Sequence, residues 1–175
     1  MKTTLKTKDN IMKLIIILNA LLITVIATGQ NFGYEQDKQY SYFAIGSSAS
    51  TIPHTNKLTP NGILTAGVRY NLVDISLNYE FVRLTPDYHS YFAQVQLIPL
   101  DIHNFEFGAG MKYGRIIRVE KGTYNYYGFN GEVRLTIKKF FISLMGSYDY
   151  RGDIKMMWDK DYWKFTSHLK VGIKL

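Results

Sequence analysis

The residues best suited to catalysis are two neighbouring serine and histidine pairs, His89-Ser90 and Ser167-His168. A histidine that accepts the hydroxyl proton of a serine creates the nucleophile of many hydrolases. Both pairs lie in segments whose alternating pattern predicts β-strands, and adjacent residues of a strand point to opposite faces of the sheet. Neither pair can therefore form a hydrogen bond between its own two members. This spacing argues against a serine hydrolase.

Metal and cofactor chemistry have little support in the sequence. The four histidines are too dispersed for a metal site, and His54 and His103 fall in predicted connections between strands. The chain has no cysteine, which removes disulfides, thiol chemistry and thiolate metal ligands. Neither a Walker-type phosphate loop nor a GxGxxG motif occurs. We therefore expect no catalytic residue, no metal site and no cofactor.

Two clusters in polar connections are better candidates for binding. Arg115, Arg118 and Lys121 form a basic group, and guanidinium groups bind phosphate oxygens through paired hydrogen bonds. The other cluster is apolar within an otherwise charged connection, and its members are Met156, Met157 and Trp158. Flexible methionines and an exposed tryptophan suit adaptable contacts with a partner. The structural alternatives are a solvated basic loop and a loop that folds back on its own rim.

The first part of the chain has the composition of a secretory signal peptide. Four lysines precede a mostly apolar run of thirteen residues, 14–26, and small residues follow up to Gly29. This order predicts export and cleavage before Gln30. The apolar run is shorter than the roughly 18–20 residues that a transmembrane helix needs, which makes an uncleaved anchor the weaker alternative. The predicted division is a signal peptide at 1–29, a short polar lead-in at 30–38 and one domain at 39–175.

Most of the remaining chain alternates apolar and polar residues, which is the pattern of amphipathic β-strands. The last thirteen residues, 163–175, are the clearest case, and only Ser167 breaks their apolar register. Abundant Tyr and Phe (14 and 10 residues) also favour strands. The pattern predicts eight strands, at 39–50, 62–71, 74–84, 90–100, 104–114, 124–138, 140–150 and 162–175.

The connections between these segments alternate in length. Long polar connections are predicted at 50–61, 115–123 and 151–161, and tight ones at 72–73, 101–103 and 139. The connection at 85–89 is the exception, because it is short where the alternation requires a long one. Eight strands with short turns at one end and long loops at the other are typical of single-chain outer-membrane barrels.

The facing of the strands decides between two kinds of barrel. In a membrane barrel the apolar face contacts lipid and the polar face fills the lumen, whereas a soluble lipocalin-like barrel has the opposite arrangement. The polar face is rich in Gly, Ser, Asn and Gln, which pack a narrow lumen, and aromatic residues lie near the strand ends of the apolar face. We therefore predict a membrane barrel in which Leu135, Leu144 and Val171 contact lipid. The pattern leaves the facing of the first strand open.

Nine ionisable residues share the polar face and would fill the lumen of such a barrel. They are Arg69, Glu80, Glu106, Lys112, Glu132, Arg134, Asp149, His168 and Lys170. An eight-stranded barrel is only wide enough for side chains to fill it, and buried charges must be paired. Because the two signs are nearly balanced, we expect a locked, salt-bridged polar core. The alternative is a gated ion path.

The leader, the eight strands, the alternating connections and the C-terminal ending together resemble the small eight-stranded outer-membrane proteins of the OmpA/OmpX-like type in Gram-negative bacteria. The resemblance covers about 39–175. It implies an all-β fold, an eight-stranded antiparallel up-and-down transmembrane β-barrel of the bacterial outer membrane, with 30–38 as a short periplasmic lead-in. The C-terminal ending is similar to the signal that the barrel-assembly machinery reads in this family. It consists of Leu169, Val171, Ile173 and Leu175.

The function that this resemblance implies is non-enzymatic: surface structure, adhesion or partner binding through extracellular loops. The partners would be outer-membrane lipid and lipopolysaccharide, with the basic group near its phosphates, and a protein partner at the apolar cluster. Without the leader's four lysines and one aspartate the net charge falls from +7 to about +4, and no basic stripe points to nucleic acid. The alternatives are an accessory barrel of a secretion or assembly complex, a lipid A-modifying enzyme and a secreted lipocalin-like carrier.

Overall fold

The alternating segments of the sequence form the eight strands of a closed antiparallel barrel in the computed structural model. The structure describes residues 38–51, 58–82, 88–119, 121–158 and 162–175. The strands are β1 (Gln39–Thr51), β2 (Leu58–Tyr70), β3 (Val73–Val82), β4 (Tyr88–Ile102), β5 (Phe105–Arg118), β6 (Gly122–Ile137), β7 (Phe140–Arg151) and β8 (Trp163–Lys174), and one short helix, α1 (Gly152–Trp158), follows β7. Each strand pairs with the next and β8 pairs with β1, which confirms the predicted up-and-down barrel.

Two of the predicted segments, the signal peptide and all of the lead-in except Lys38, lie outside the described residues. Within the described ranges, no helix is long and apolar enough to cross a membrane.

The register of the strands fixes the tilt of the barrel. A path along cross-strand partners leaves β8 at Lys174, passes through every strand and returns to β8 at Lys164, ten residues away. This offset of ten residues is the shear number of the barrel. For strands about 4.8 Å apart with a rise of about 3.3 Å per residue, it gives a strand tilt of about 40° from the barrel axis. Tilts of about 35–45° are typical of outer-membrane barrels. Each residue of a strand therefore advances about 2.5 Å along the barrel axis.

The two ends of the barrel differ in their connections. At the turn end, two-residue turns join β2 to β3, β4 to β5 and β6 to β7. The first residue of each turn has a positive φ, and these residues are Asn71 (52°), His103 (53°) and Lys138 (57°). The loop end carries α1 and the turn between β5 and β6. Residues 52–57, between β1 and β2, and residues 83–87, between β3 and β4, lie outside the described residues.

The predicted long connection at 115–123 is wrong. β5 continues to Arg118, β6 begins at Gly122, and these two residues pair with each other across the hairpin. Backbone hydrogen bonding continues past the point where the side chains become polar, because the ladder does not depend on side-chain polarity. Gly122 has a φ of 106°, a conformation that glycine adopts without a steric penalty. The turn is therefore confined to residues 119–121.

The alternation of burial along the strands shows which face points inward. On β7, Ser143 is 1% exposed and the adjacent Leu144 is 57% exposed. On β1, Tyr42 and Ala44 point inward and Phe43 points outward, which settles the strand whose facing the sequence left open. An interior of polar side chains and an exterior of large apolar ones is the arrangement of a membrane barrel. It is the opposite of a lipocalin-like carrier, and that alternative is wrong.

The exposed apolar surface has the height of a bilayer core. On β7 the outward-facing residues run from Phe140 at the turn end to Tyr150 at the loop end. Ten residues at about 2.5 Å each give about 25 Å, the height of the lipid-facing band in outer-membrane barrels. Tyr150 stacks on Tyr127 with ring centroids 4.5 Å apart, and Tyr148 stacks on Trp163 at 5.2 Å. Aromatic girdles of this kind mark the boundary between lipid and water.

Candidate functional site

The nine ionisable residues of the predicted polar face all point into the barrel, and none is more than 4% exposed. Most of them belong to two groups at different heights. We name the group around Arg134 the turn-end cluster and the group around Lys112 the central cluster. Arg69 belongs to neither group, since its guanidinium lies 3.7 Å from Asp101 at the turn end.

Arg134 is the centre of the turn-end cluster. Its Nη1 lies 3.1 Å from Asp74 Oδ2 and 3.4 Å from Glu106 Oε2, and its Nη2 lies 3.4 Å from Glu132 Oε1. The guanidinium carbon also lies 4.6 Å from the ring centre of Tyr42, a cation–π contact. Asp74 is not among the predicted lumen residues. It is the second residue of β3 and has the parity of the other inward residues of that strand.

Two lysines of β8 complete this cluster. Lys170 Nζ lies 2.9 Å from Glu132 Oε2, and Lys174 Nζ lies 3.1 Å from Glu106 Oε1. Tyr40 also donates its hydroxyl proton to Glu106, at 2.9 Å. Buried charges are stable only when they are paired and hydrogen-bonded. Each carboxylate here has at least one cationic partner, and the bonds join strands that are distant in the sequence.

Lys112 is the centre of the second group. Its Nζ lies 2.9 Å from Asp149 Oδ2 and donates hydrogen bonds to Tyr126 at 2.7 Å and Ser147 at 2.9 Å. Ser147 and Thr166 extend the network, since Thr166 donates to Asp149 Oδ2 at 2.7 Å. The ammonium group thus has three protein partners in the middle of the lumen. Such a network holds neighbouring strands together from the inside.

Ser90 and His168 meet at one carboxylate in the lumen. Ser90 donates to Glu80 Oε2 at 2.9 Å, and His168 Nε2 lies 3.2 Å from Glu80 Oε1. A nucleophilic serine needs the histidine itself as its hydrogen-bond acceptor. Here the acceptor of both side chains is Glu80, and all three are buried inside the barrel, away from lipid. This arrangement binds strands together and does not activate the serine.

The helix α1 is attached to the loop end of the barrel by a group that we name the mouth cluster: Asp153, Arg118, Arg151 and Tyr88. Arg118 Nε donates to Asp153 Oδ2 at 2.8 Å, and Arg151 donates to both oxygens of Asp153 at 3.0 Å. Both guanidinium groups lie over the ring of Tyr88, at 4.9 and 4.8 Å. Asp153 is fully buried, and Ile154 beside it is buried as well. α1 is therefore anchored to β5 and β7, and Tyr88 of β4 contacts the two arginines that hold it.

The charge of Asp153 is stabilised by its two arginines. Burial alone would raise the pKa of this carboxyl, but Arg151 and Arg118 outweigh that effect and hold the pKa below its ordinary value. A depressed carboxyl pKa contributes stability above the ordinary value of about 3.9, and the contribution is lost as the pH falls through the lower, folded-state value. The attachment of α1 should thus be constant between pH 5 and pH 8 and fail only in strong acid.

The members of each of the two predicted binding clusters lie in different surroundings in the structure. Arg118 is only 3% exposed and belongs to the mouth cluster, so it is not available to lipopolysaccharide. Arg115 points outward from β5, and Lys121 is exposed in the turn that follows. Met156 is 74% exposed on α1. The side chains of Met157 and Trp158 lie outside the described part of the structure.

The predicted C-terminal assembly signal lies on the outward face of the barrel. Its members Leu169, Val171, Ile173 and Leu175 are between 37% and 69% exposed. β8 closes the barrel by pairing with β1 from Leu169 to Lys174. The first three of these residues lie on the strand that completes the barrel wall, and Leu175 follows directly after it.

We expect Asp153→Asn to release α1 without unfolding the barrel. The change removes the charge that two arginines share, and hydrogen bonds to charged groups are worth about 1.5–3 kcal/mol each. Trypsin cleavage after the exposed Lys155 of the folded protein should become roughly ten to a hundred times faster, because proteolysis follows the open population. Met156→Ser on the same helix is the control and should leave the cleavage rate unchanged. Equal rates for Asp153→Asn and the unaltered chain would contradict the anchoring role.

A solved outer-membrane protein has a similar fold. The outer membrane protein Ail of Yersinia pestis, solved in a phospholipid nanodisc, has a TM-score of 0.51 and 14% identity over 79% of this chain and 100% of Ail. This chain has the fold of the small eight-stranded outer-membrane barrels. Neisserial surface protein A has a TM-score of 0.48 and 17% identity over 78% of this chain and 95% of that protein.

Sequence comparisons identify no relative of this chain. No family model matches the sequence, and no curated protein matches it. At 14% identity, the similarity to Ail concerns the fold alone. Any role of this barrel must therefore be argued from its own residues.

Proposed function

We propose that this chain is a non-enzymatic β-barrel of the bacterial outer membrane that acts through the surface it presents at its loop end. The observation that carries the proposal is the paired, buried interior beneath an anchored α1. Buried ion pairs of the turn-end and central clusters fill a lumen that is only wide enough for side chains. A barrel of this kind does not serve as a general porin. Its rims and loops are therefore the surface through which it can bind other molecules.

The loop end offers a surface for a protein partner. Met156 exposes most of its side chain on α1, and Val119 is exposed in the turn between β5 and β6. The mouth cluster holds α1 in place. Binding a partner there would therefore cost little free energy for ordering the helix. Methionine adapts its shape to different contacts. We propose adhesion or partner binding at this end as the role of the barrel.

Cell fractionation with gel migration tests the proposed class. We expect the unheated protein to be found in the outer-membrane fraction and to migrate differently after boiling, because a folded barrel resists detergent. Recovery in a soluble fraction would contradict the membrane assignment. A photo-crosslinking residue at Met156 should then capture partners in intact cells, whereas the same residue at Lys139, in a turn at the opposite end, should not. Identical crosslinks from both positions would contradict binding at the loop end.

A further inference from the structure

Arg115 is a cation on the lipid-facing surface. It points outward from β5 and pairs across the strands with Tyr91 of β4 and Asn125 of β6. Applying the rise of about 2.5 Å per residue to this register places Arg115 within about one residue of the height of Tyr150, in the girdle at the loop end. Within the part of the chain that the structure describes, the Arg115 guanidinium forms no ion pair with a carboxylate. A cation at this height lies where the headgroups of outer-leaflet lipids would be.

A histidine lies beside this arginine. His89 pairs with Ile117 across β4 and β5, which makes it a diagonal neighbour of Arg115, with backbones about 7–8 Å apart. Tyr79 OH and His89 Nδ1 are 2.8 Å apart, and their rings stack with centroids 5.9 Å apart. Tyr79 thus contacts one ring nitrogen and fixes the orientation of the ring. When the Tyr79 hydroxyl donates to Nδ1, the ring hydrogen of neutral His89 is on Nε2, which can donate to a ligand. Arg115 and His89 together form a pair of donors at one height.

An apolar groove crosses the outer face of β1 to β5, and Arg115 lies at its β5 end. Its lining includes Leu77, Ala93, Tyr113 and Arg115. Ala93 lies between Leu77 and Tyr113 in the strand register, and it follows Tyr91 by two residues towards the turn end. A small side chain between two large ones leaves a depression in the outer face. The groove therefore begins at a cation and continues into the apolar band.

We propose that Arg115 and His89 bind a phosphate group of a phosphorylated glycolipid, lipid A, in the outer leaflet, with one acyl chain in the groove over Ala93. The proposal rests on the proposed outer-membrane location. It replaces the basic group predicted from the sequence, since Arg118 is buried in the mouth cluster. Guanidinium binds phosphate oxygens through two parallel hydrogen bonds, and the acyl chain adds apolar contact that a free phosphate lacks.

Lipid retention by the full chain in phosphatidylcholine nanodiscs tests this site. Bisphosphorylated lipid A is titrated into the discs, and native mass spectrometry counts the bound lipid. We expect Arg115→Gln to weaken retention about tenfold or more, since a hydrogen-bonded charge pair is worth at least one factor of ten. Ala93→Trp, which fills the groove, should also weaken retention. Lys139→Gln, which removes a cation at the turn end, should leave retention unchanged.

Lipid A without phosphates should bind the unaltered chain as weakly as intact lipid A binds Arg115→Gln. Excess inorganic phosphate should not displace intact lipid A, because the acyl chain contributes to binding. Full displacement by inorganic phosphate would overturn the lipid site in favour of a free phosphate site. Equal retention by Arg115→Gln and the unaltered chain, with both still heat-modifiable, would overturn the proposal and leave the membrane assignment intact. Loss of heat-modifiability in the unaltered chain would instead contradict the proposed function.

Discussion

Arg134→Met should lower the free energy of unfolding by about 3–5 kcal/mol, the usual effect of removing one partner of a buried ion pair. Methionine keeps the apolar stem but removes the guanidinium that contacts three carboxylates. Glu132 and Glu106 retain Lys170 and Lys174 as cationic partners. Asp74 keeps only the hydroxyl of Tyr42 among its hydrogen-bond partners in the described residues. Most of the decrease in the free energy of unfolding should therefore come from the unpaired charge of Asp74.

Urea unfolding of the barrel in lipid vesicles measures this effect. Lys139→Met removes an exposed cation at the turn end and is the matched control, with an expected change below about 0.5 kcal/mol. Asp74→Asn in the Arg134→Met background should recover about 1–2 kcal/mol, because it removes the unpaired charge. A loss below about 1 kcal/mol, or a double variant less stable than Arg134→Met, would contradict the pairing described for this cluster.

Leu144→Arg should reduce the stability of the barrel in bilayers by about 2–4 kcal/mol, the cost of an arginine on the lipid face near the midplane. Leu144 lies on β7 halfway between Phe140 and Tyr148, and it points outward. Its outward cross-strand neighbours are Val133 and Leu169, neither of which can pair with a guanidinium. The arginine would have hydrocarbon on every side.

The same unfolding measurement with Leu144→Phe is the control for this change. Phenylalanine keeps an apolar surface against lipid, so we expect less than about 0.5 kcal/mol of destabilisation. The penalty for arginine should also fall towards zero at Ile137, beyond the turn-end boundary, since the cost depends on depth. A penalty that does not change with depth would show that lipid is not the surrounding medium.

The number of strands and their facing could be predicted because both follow from the period of two in a strand. Ser143 and Leu144 differ by one position, and that step decides between lumen and lipid. The same rule placed Glu132 and Arg134 inside. What it could not predict were the partners, since Arg134 and Asp74 are 60 residues apart in the sequence. Such pairs depend on the register and shear of the closed barrel. Neither can be predicted from the pattern within a single strand.

The loop end was predicted less well than the barrel wall. Arg118 and Asp153 are 35 residues apart, and the sequence predicts a long polar connection around each of them. Pairing of β5 with β6 beyond the apolar band turned one of these loops into strand. α1 has only seven residues, too few for a helical period to appear in the sequence. A short helix held by a buried ion pair leaves no periodic signal.

Single cysteines at positions 143 and 144 test most directly whether the alternating strands place their apolar face against lipid and their polar face in the lumen. The chain contains no cysteine, so each labelled thiol reports one position. Ser143→Cys is nearly isosteric and leaves the interior packed. A lipid-soluble maleimide should label Leu144→Cys in folded proteoliposomes and leave Ser143→Cys unreacted. Labelling at 143 with protection at 144 would mean that the polar face points outward. That result would contradict the membrane barrel.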